Sequence, residues 1–426
     1  MFMQQILIIA DDLSGAADCG MACAGSGLHT LVMLGNSVNA VDADVLSVDA
    51  DTRGLDPKRA VWETAMLMRR YMSRHRQVVF KKLDSTLRGN VGAELAAVLT
   101  TQRGAMTQQE HIVAVLAPAF PANGRTTRQG KQLLDGKPLE QMEIWQRAGK
   151  QGSSYIPAML EEAGMRSAVL SLETIRSSNG NLHKEMIRLA EGLDVLVCDA
   201  ETDRDLQAIA NATVALGHNT VWAGSAGLAY HLPKAIALTS TTSAASDEEL
   251  ASGPTLFVVG SSAAVSREQV KTLTASPELV TITIPPSDLL SGLEKRREHE
   301  QLLAETFARK CDIVVMLGTE DKLKIDAGRL LSSALAQMIV PHYNKVGALV
   351  VTGGETARLV LQTWGVTGLR LVKELEPGLP FSITENWGRR LPVITKAGDF
   401  GNPQTLLHCR QFLQDLDRTG KSVSGK

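Results

Sequence analysis

The stretch Ile6-Leu7-Ile8-Ile9-Ala10-Asp11-Asp12-Leu13-Ser14-Gly15-Ala16 decides the fold class. Five apolar residues, three of them β-branched isoleucines, predict a buried strand. Two carboxylates, a serine and a glycine then make a tight turn into a helix. One carboxylate, Asp11 or Asp12, is enough to cap that helix. The other is left to accept hydrogen bonds from a ligand or to take a proton. The start of the helix also favours negatively charged groups.

The same rhythm runs along the chain. Val45–Val48, Val78–Phe80, Ile112–Leu116, Ala168–Leu172, Val195–Cys198 and Thr220–Ala223 read as further strands. Amphipathic stretches such as Pro57–His75 and Asn181–Glu191 lie between them. Strand alternating with helix predicts a largely parallel sheet covered on both faces. Residues 238–253, LTSTTSAASDEELASG, interrupt the pattern and read as a linker. After them it resumes at Leu256–Gly260, Val280–Ile284, Ile313–Leu317, Ala348–Thr352 and Leu391–Thr395. A length of 426 residues suits two domains. The predicted architecture is therefore α/β. It has two domains, each a mainly parallel sheet flanked by helices, and an active site in the interdomain cleft. Residues 1–238 and 253–426 form the domains and 239–252 the linker.

Composition narrows the function classes. Hydrophobic residues make up 44%, enough for a sizeable core. The 44 basic and 46 acidic residues leave a formal charge of -2, which offers no basic face for nucleic acid or a membrane surface. At 4%, aromatic residues are also too few for base-stacking platforms. The five cysteines show no C-x-x-C pair. Cys19 and Cys23 would share a helix face as small buried residues, and the set suits a reducing compartment. Met1-Phe2-Met3-Gln4-Gln5 carries no basic leader, so a cytoplasmic location is expected.

In open α/β sheets, ligands bind at the carboxyl ends of the strands. The chemically unusual residues of this chain fall there. After the second strand come Asp49-Ala50-Asp51-Thr52-Arg53-Gly54. Arg53 is a fork for a carboxylate, or else an ion-pair partner of Asp49 or Asp51. The third strand leads into Lys81-Lys82-Leu83-Asp84-Ser85-Thr86-Leu87-Arg88-Gly89-Asn90. Asp84 or Ser85 alone would be an ordinary helix cap. Together the residues suggest a pocket for a polar, anionic small molecule. Ala117-Pro118-Ala119-Phe120-Pro121 predicts a stiff loop, and Gly224-Ser225-Ala226-Gly227 a turn that allows close backbone approach.

The second half uses glycines where the first uses charges. Gly260-Ser261-Ser262, Thr352-Gly353-Gly354-Glu355-Thr356 and Lys396-Ala397-Gly398-Asp399-Phe400-Gly401 each follow a predicted strand. Small residues there expose backbone N–H groups that can hold phosphate oxygens. They would equally make ordinary tight connections. A Walker-type loop, a G-x-G-x-x-G fingerprint, an H-E-x-x-H pair and a G-x-S-x-G elbow are all missing from the sequence. The nine scattered histidines give no zinc spacing.

Six ordered motifs carry a resemblance. They are Ala10–Ala16, Lys82–Asn90, Ala117–Pro121, Gly353–Ala357, Glu376-Pro377-Gly378-Leu379-Pro380 and Lys396–Gly401. Together they resemble the four-carbon acid-sugar kinases, which phosphorylate acids such as threonate and erythronate. The resemblance implies an N-terminal domain for the acid and a C-terminal domain for ATP, with Mg²⁺ arriving on the nucleotide. It carries acid binding onto Asp12, Arg53, Lys82, Leu83, Asp84, Ser85 and Arg88. ATP binding falls on Ser261, Ser262, Gly353, Gly354, Glu355, Thr356, Gly398 and Gly401. Ser14 stands where the family more often has threonine, and the hydroxyl is kept. The Lys82–Ser85 turn is closer to the threonate branch, with erythronate its competitor.

On this reading Arg53, helped by Lys82, grips the substrate carboxylate. Asp12, or else Asp84, takes the proton of the attacking terminal hydroxyl. No metal is held by protein alone, and a homo-oligomer is compatible with the sequence. A two-domain binding protein for small acids and a phosphate-ester hydrolase are the rivals from other classes.

Overall fold

A computed structural model describes residues 6–35, 43–72, 77–105, 111–177, 181–217, 220–240, 249–261, 263–275, 278–290, 293–319, 328–385 and 388–419. The chain divides near residue 242 into two compact units. Of the predicted linker, residues 241–248 lie outside the described residues.

The first unit holds eight parallel strands and a small antiparallel arm. The strands are β1 (Ile6–Ala10), β2 (Thr30–Leu34), β3 (Val45–Asp49), β4 (Val78–Lys82) and β5 (Val113–Ala117). The arm is β6 (Arg125–Arg128), β7 (Lys131–Leu134) and β8 (Lys137–Pro138), and the sheet continues with β9 (Ser167–Leu170), β10 (Val195–Cys198) and β11 (Thr220–Gly224). The sheet order is β2-β3-β1-β4-β11-β5-β10-β9. All its pairings are parallel. Both faces are covered, which explains the unbroken apolar run of β1. Ile6 and Ile8 enter one core beside Cys19 and Cys23. Leu7 and Ile9 enter the other beside Leu95 and Leu99. Burial pushes the Cys23 thiol up to about 12 and raises that of Cys19 as well. Both are inert packing groups on the helix Leu13–Ala24.

The second unit contains β12 (Thr255–Val259), β13 (Leu279–Ile284), β14 (Asp312–Leu317), β15 (Ala348–Thr352), β16 (Gly368–Glu374), β17 (Pro380–Glu385) and β18 (Pro392–Lys396). The run β13-β14-β12-β15-β18 is parallel, and β17 and β16 add antiparallel strands. Phe257, Val350, Phe381 and Ile394 centre its core. Among the described residues no helix is long and apolar enough to cross a membrane.

Several elements differ from expectation. The strands β2, β16 and β17 and the whole β6–β8 arm join those predicted. In β16, Arg370 separates buried Leu369 and Leu371, and past a bulge Lys373 is exposed, so its apolar signal is half a strand's. After β15 the helix runs Gly354–Thr363, so the second half of the Thr352–Thr356 turn is already helical. That expected at Pro57–His75 ends at Tyr71, with residues 73–76 outside those described.

One buried ion pair positions the site. Lys81 and Lys82 are adjacent on β4, so they point to opposite faces. The Lys81 ammonium lies 2.7 Å from Glu94 Oε2 and also donates to the carbonyls of Ile9 and Lys82. Glu94 accepts a 2.8 Å hydrogen bond from Thr52, the neighbour of Arg53. Lys81 and Glu94 are almost fully sealed from water. Glu94→Ala would strand the Lys81 charge. It should destabilise this unit by about 3–5 kcal/mol, the cost of breaking a buried pair, measured by urea unfolding.

Candidate active site

The two carboxylates after β1 divide the work. Asp12 has extended backbone and caps the helix Leu13–Ala24, its Oδ1 accepting from Gly15 N at 2.9 Å. Asp11 is turned inward and buried. The segment after β3 is tied to it: Thr52 N and Arg53 N both donate to the Asp11 carbonyl, at 3.0 and 3.2 Å. That pairing brings the Arg53 guanidinium over both side chains. Its Nε and Nη2 donate to Asp11 at 2.7 and 3.1 Å. Nη1 and Nη2 donate to Asp12 at 2.6 and 2.7 Å. Arg53 thus pairs with Asp11 and Asp12, rather than with Asp49 or Asp51.

The turn after β4 completes the cluster. Asp84 Oδ2 accepts from Thr86 Oγ1 at 2.5 Å, Arg88 N at 3.2 Å and Arg88 Nε at 2.7 Å. Its Oδ1 accepts from Arg88 Nη2 at 2.9 Å, and Arg53 Nη2 stands 3.7 Å away. Burial alone would raise the Asp84 carboxyl. Arg53, Arg88 and Lys82 overcome that and hold it well below the usual carboxylate range. The Lys82 ammonium lies on the opposite face from Lys81, where the missing side chain of Gly15 leaves room for it. It has no hydrogen bond or ion pair among the described residues. Burial opposes its charge, but Asp11 and Asp12 more than compensate, so it stays protonated. Three carboxylates (Asp11, Asp12, Asp84) and three cations (Arg53, Lys82, Arg88) therefore share one sheet edge.

Leu83 and Ser85 play backbone and packing parts. Leu83 is buried, and its N–H donates to Gly224 O at 2.8 Å. Ser85 O accepts from Gln132 Nε2 at 2.8 Å, and Gln132 Oε1 accepts from Thr127 at 2.7 Å. The β6–β8 arm thereby clamps this turn. Asp199, at the end of β10, holds the arm in turn by accepting from Gln129 N and Gly130 N at 2.7 and 2.9 Å. Gln132 and Asp199 escaped the sequence reading because the bonds that tie them to this site, Gln132 to Ser85 O and Asp199 to Gln129 N and Gly130 N, link segments far apart along the chain. What approaches the Gly224–Gly227 turn is the Ala117–Ala119 backbone, including a 2.7 Å bond from Ser225 Oγ to Ala119 O.

In the second unit the three glycine turns meet at the ends of β12, β15 and β18. Gly353 has φ 102°, a conformation glycine tolerates, and its N–H donates to Lys396 O at 2.8 Å. Thr356 is buried against Gly260, its hydroxyl 2.9 Å from that of Ser332. Ser261 sits against Gly398, where any side chain would collide with it. Gly354 opens the helix Gly354–Thr363, and Glu355 lies 3.6 Å from Arg329. Gly401, at φ 85°, packs on Thr405. Ser262 lies outside the described residues. Lys396, which the sequence reading quoted without a role, sends its ammonium beneath the Ala397–Phe400 loop. The signal was a lysine closing an otherwise apolar strand. The Glu376–Pro380 motif lies against this loop: Gly378 touches the Phe400 ring, and Glu376 accepts from Thr405 at 2.7 Å.

Among the described residues no group of three or more His, Cys, Asp or Glu side chains is placed to hold a metal. The exposed Asp399 carboxylate, without a hydrogen-bond partner among them, fits a hard cation that keeps most of its ligands on phosphates and water.

Comparison with known proteins places both units. Residues 6–232 match a family described as a sugar-binding N-terminal domain, and residues 256–406 one described as a nucleotide-binding C-terminal domain. The chain is 37% identical to a D-threonate kinase of Cupriavidus necator, covering 96% of this chain and 98% of that protein. It is 30% identical to a D-threonate kinase of Salmonella typhimurium, covering 97% and 99%. A crystal structure from Salmonella typhimurium LT2 superposes with TM-score 0.79 at 20% identity, covering 96% and 100%, a likeness of fold. With both domains matched and relatives aligned from end to end, the chain belongs to the four-carbon acid-sugar kinase family.

Proposed function

We propose that this chain transfers the γ-phosphoryl group of ATP to the terminal hydroxyl of D-threonate. The observation that carries the reading is the charge cluster of Asp11, Asp12, Arg53 and Lys82 at the head of β1. It stands in a chain alignable along nearly its whole length with D-threonate kinases. Lys82 is the natural grip for the acid's carboxylate, because its ammonium is charged and unclaimed. Arg53 is occupied by two aspartates and serves to orient them, a change from the role first expected of it.

Asp12 is the better proton acceptor. The Asp84 side chain is 9% exposed and Asp12 22%, so a hydroxyl reaches Asp12 more readily. Asp84 Oδ2 already accepts three hydrogen bonds, whereas Asp12 Oδ2 accepts one, from Arg53. The hydroxyl oxygen bonds to the γ-phosphorus, the bond to the β-γ bridging oxygen breaks, and the hydroxyl proton passes to Asp12. Little base strength is required, since phosphoryl transfer depends mainly on position and charge neutralisation. Mg²⁺ on the nucleotide supplies part of that neutralisation. In the second unit, the Ser261 turn, Gly353–Thr356 and Gly398–Gly401 would take the ATP.

ADP release with D-threonate, D-erythronate and no acid tests the reading. A kinase gives acid-dependent ADP; a binding protein gives none, and a hydrolase acts without the acid. Asparagine caps helices as well as aspartate does. Asp12→Asn should therefore fold normally while turnover falls by roughly 10²–10⁴-fold. For Lys82→Met, KM for the acid should rise at least about tenfold, the scale of one charge-assisted hydrogen bond. KM for ATP should stay put. A rise confined to ATP would reverse the assignment of the two units.

A further inference from the structure

Lys396 ends β18 with its side chain 2% exposed, yet no carboxylate pairs with it among the described residues. Its ammonium instead donates to three carbonyls of the loop that follows: Ala397 at 2.8 Å, Gly398 at 3.3 Å and Phe400 at 2.9 Å. A trans peptide directs its N–H opposite to its C=O. With those carbonyls turned onto the lysine, the N–H groups of Gly398, Asp399 and Gly401 point away from it. None of the three donates to an acceptor among the described residues. The loop is braced from its flank as well. Ser266 Oγ donates to Gly398 O at 2.5 Å, and Gln269 Nε2 to the Phe400 and Asn402 carbonyls at 3.0 Å each.

Outward-facing backbone amides on a short glycine loop form an anion site. We propose that Lys396 is a positioning residue: its ammonium gathers the loop carbonyls beneath it and so presents the loop amides to the phosphates of a nucleoside triphosphate. This rests on the reading that the Gly398–Gly401 loop takes ATP. The lysine touches neither ligand nor reacting atom. It acts on the phosphates through the peptide units above it.

The charge is held there against the preference of the fold. Burial brings the Lys396 ammonium down from 10.5 to about 8, with the Asp399 carboxylate opposing that fall and the neighbouring Cys409 thiol, pushed up to about 12 by burial, neutral there. Cys409 lies on the helix Thr405–Thr419, which also carries His408, paired with Glu376. The folded value lies below the unfolded one, so between the two the unfolded chain binds more protons. Stability contributed by this group therefore increases as pH rises above 8. Organisation of the loop runs the other way: it is complete below that pH and weakens above it, as the amine loses its charge and one of its three N–H donors. Affinity for ATP and stability should thus respond to pH with opposite signs, which a purely structural lysine would not produce.

The test uses the full chain, with Mg²⁺-ATP titrated at equilibrium and KM measured for ATP and for D-threonate. Lys396→Met should weaken ATP by roughly tenfold or more at neutral pH and leave KM for the acid within about twofold. Wild-type affinity for ATP should fall severalfold between about pH 7 and about pH 9.5, and Lys396→Arg, charged throughout, should flatten that dependence. Gly398→Val, whose side chain would run into Ser261, reports on the loop itself. If Gly398→Val loses ATP and Lys396→Met does not, the positioning role is overturned and the ATP site stands. If neither variant loses ATP, the loop is not the nucleotide site and both readings fall. Should Lys396→Met fail to fold, the wild-type pH series decides alone, and a flat ATP affinity would overturn the role.

Discussion

The guanidinium of Arg53, held between Asp11 and Asp12, is the interaction on which the acid-binding end depends. It joins the ends of β1 and β3, neighbours in the parallel sheet, over and above the backbone bonds between them. Two adjacent carboxylates would repel each other and drift apart in protonation. A planar cation with several fixed donors offsets that repulsion and fixes their geometry. Asp84 and Arg88 extend the same logic to the next strand end. The result is a site balanced in charge before any ligand arrives, in which Lys82 is the one cation of the six groups with no bonded partner among the described residues.

The nucleotide-binding unit solves a different problem by different means. Phosphates need donors in many directions, and backbone amides supply them without flexible side chains. Glycines at Gly353, Gly398 and Gly401 let the chain approach closely. Their cost is a loop with little to hold its shape. Lys396 from below, and Ser266 and Gln269 from the side, provide that shape by binding carbonyls. Each unit thus contains a buried lysine at a strand end, with different partners: Lys81 on a carboxylate and two carbonyls, Lys396 on carbonyls alone.

Much of this was legible in the sequence. Strong β-branched runs such as Ile6–Ala10 and Ala348–Thr352 marked the parallel strands, and the residues that followed them marked the ligand ends. Strands bearing charges, such as β16, and the short β6–β8 arm were not visible, because half-buried or two-sided strands lose the apolar signal. Asp12, Arg53, Lys82 and Asp84, which the fold brings together, stood out because they are charges directly after apolar strands. Their mutual roles were not: that Arg53 binds aspartates rather than standing free follows from the Asp11 carbonyl drawing in Thr52 and Arg53, a contact 41 or more residues away along the chain. Lys396 went unassigned because a lysine facing carbonyls has no sequence partner to betray it.

The adjacency of Lys81 and Lys82 has a consequence for how this chain tolerates change. A strand alternates its faces, so one residue of slippage in β4 would exchange them. The ammonium meant for Glu94 would be carried to the face that now holds Lys82, and Lys82 would be driven into the core. Insertion and deletion at this point are thus doubly penalised, since folding and recognition would be lost in one step. The two identical side chains make the error invisible to composition and conspicuous to the fold. Sequence drift in the family should therefore find room in the loops around β4 and almost none within its last two residues.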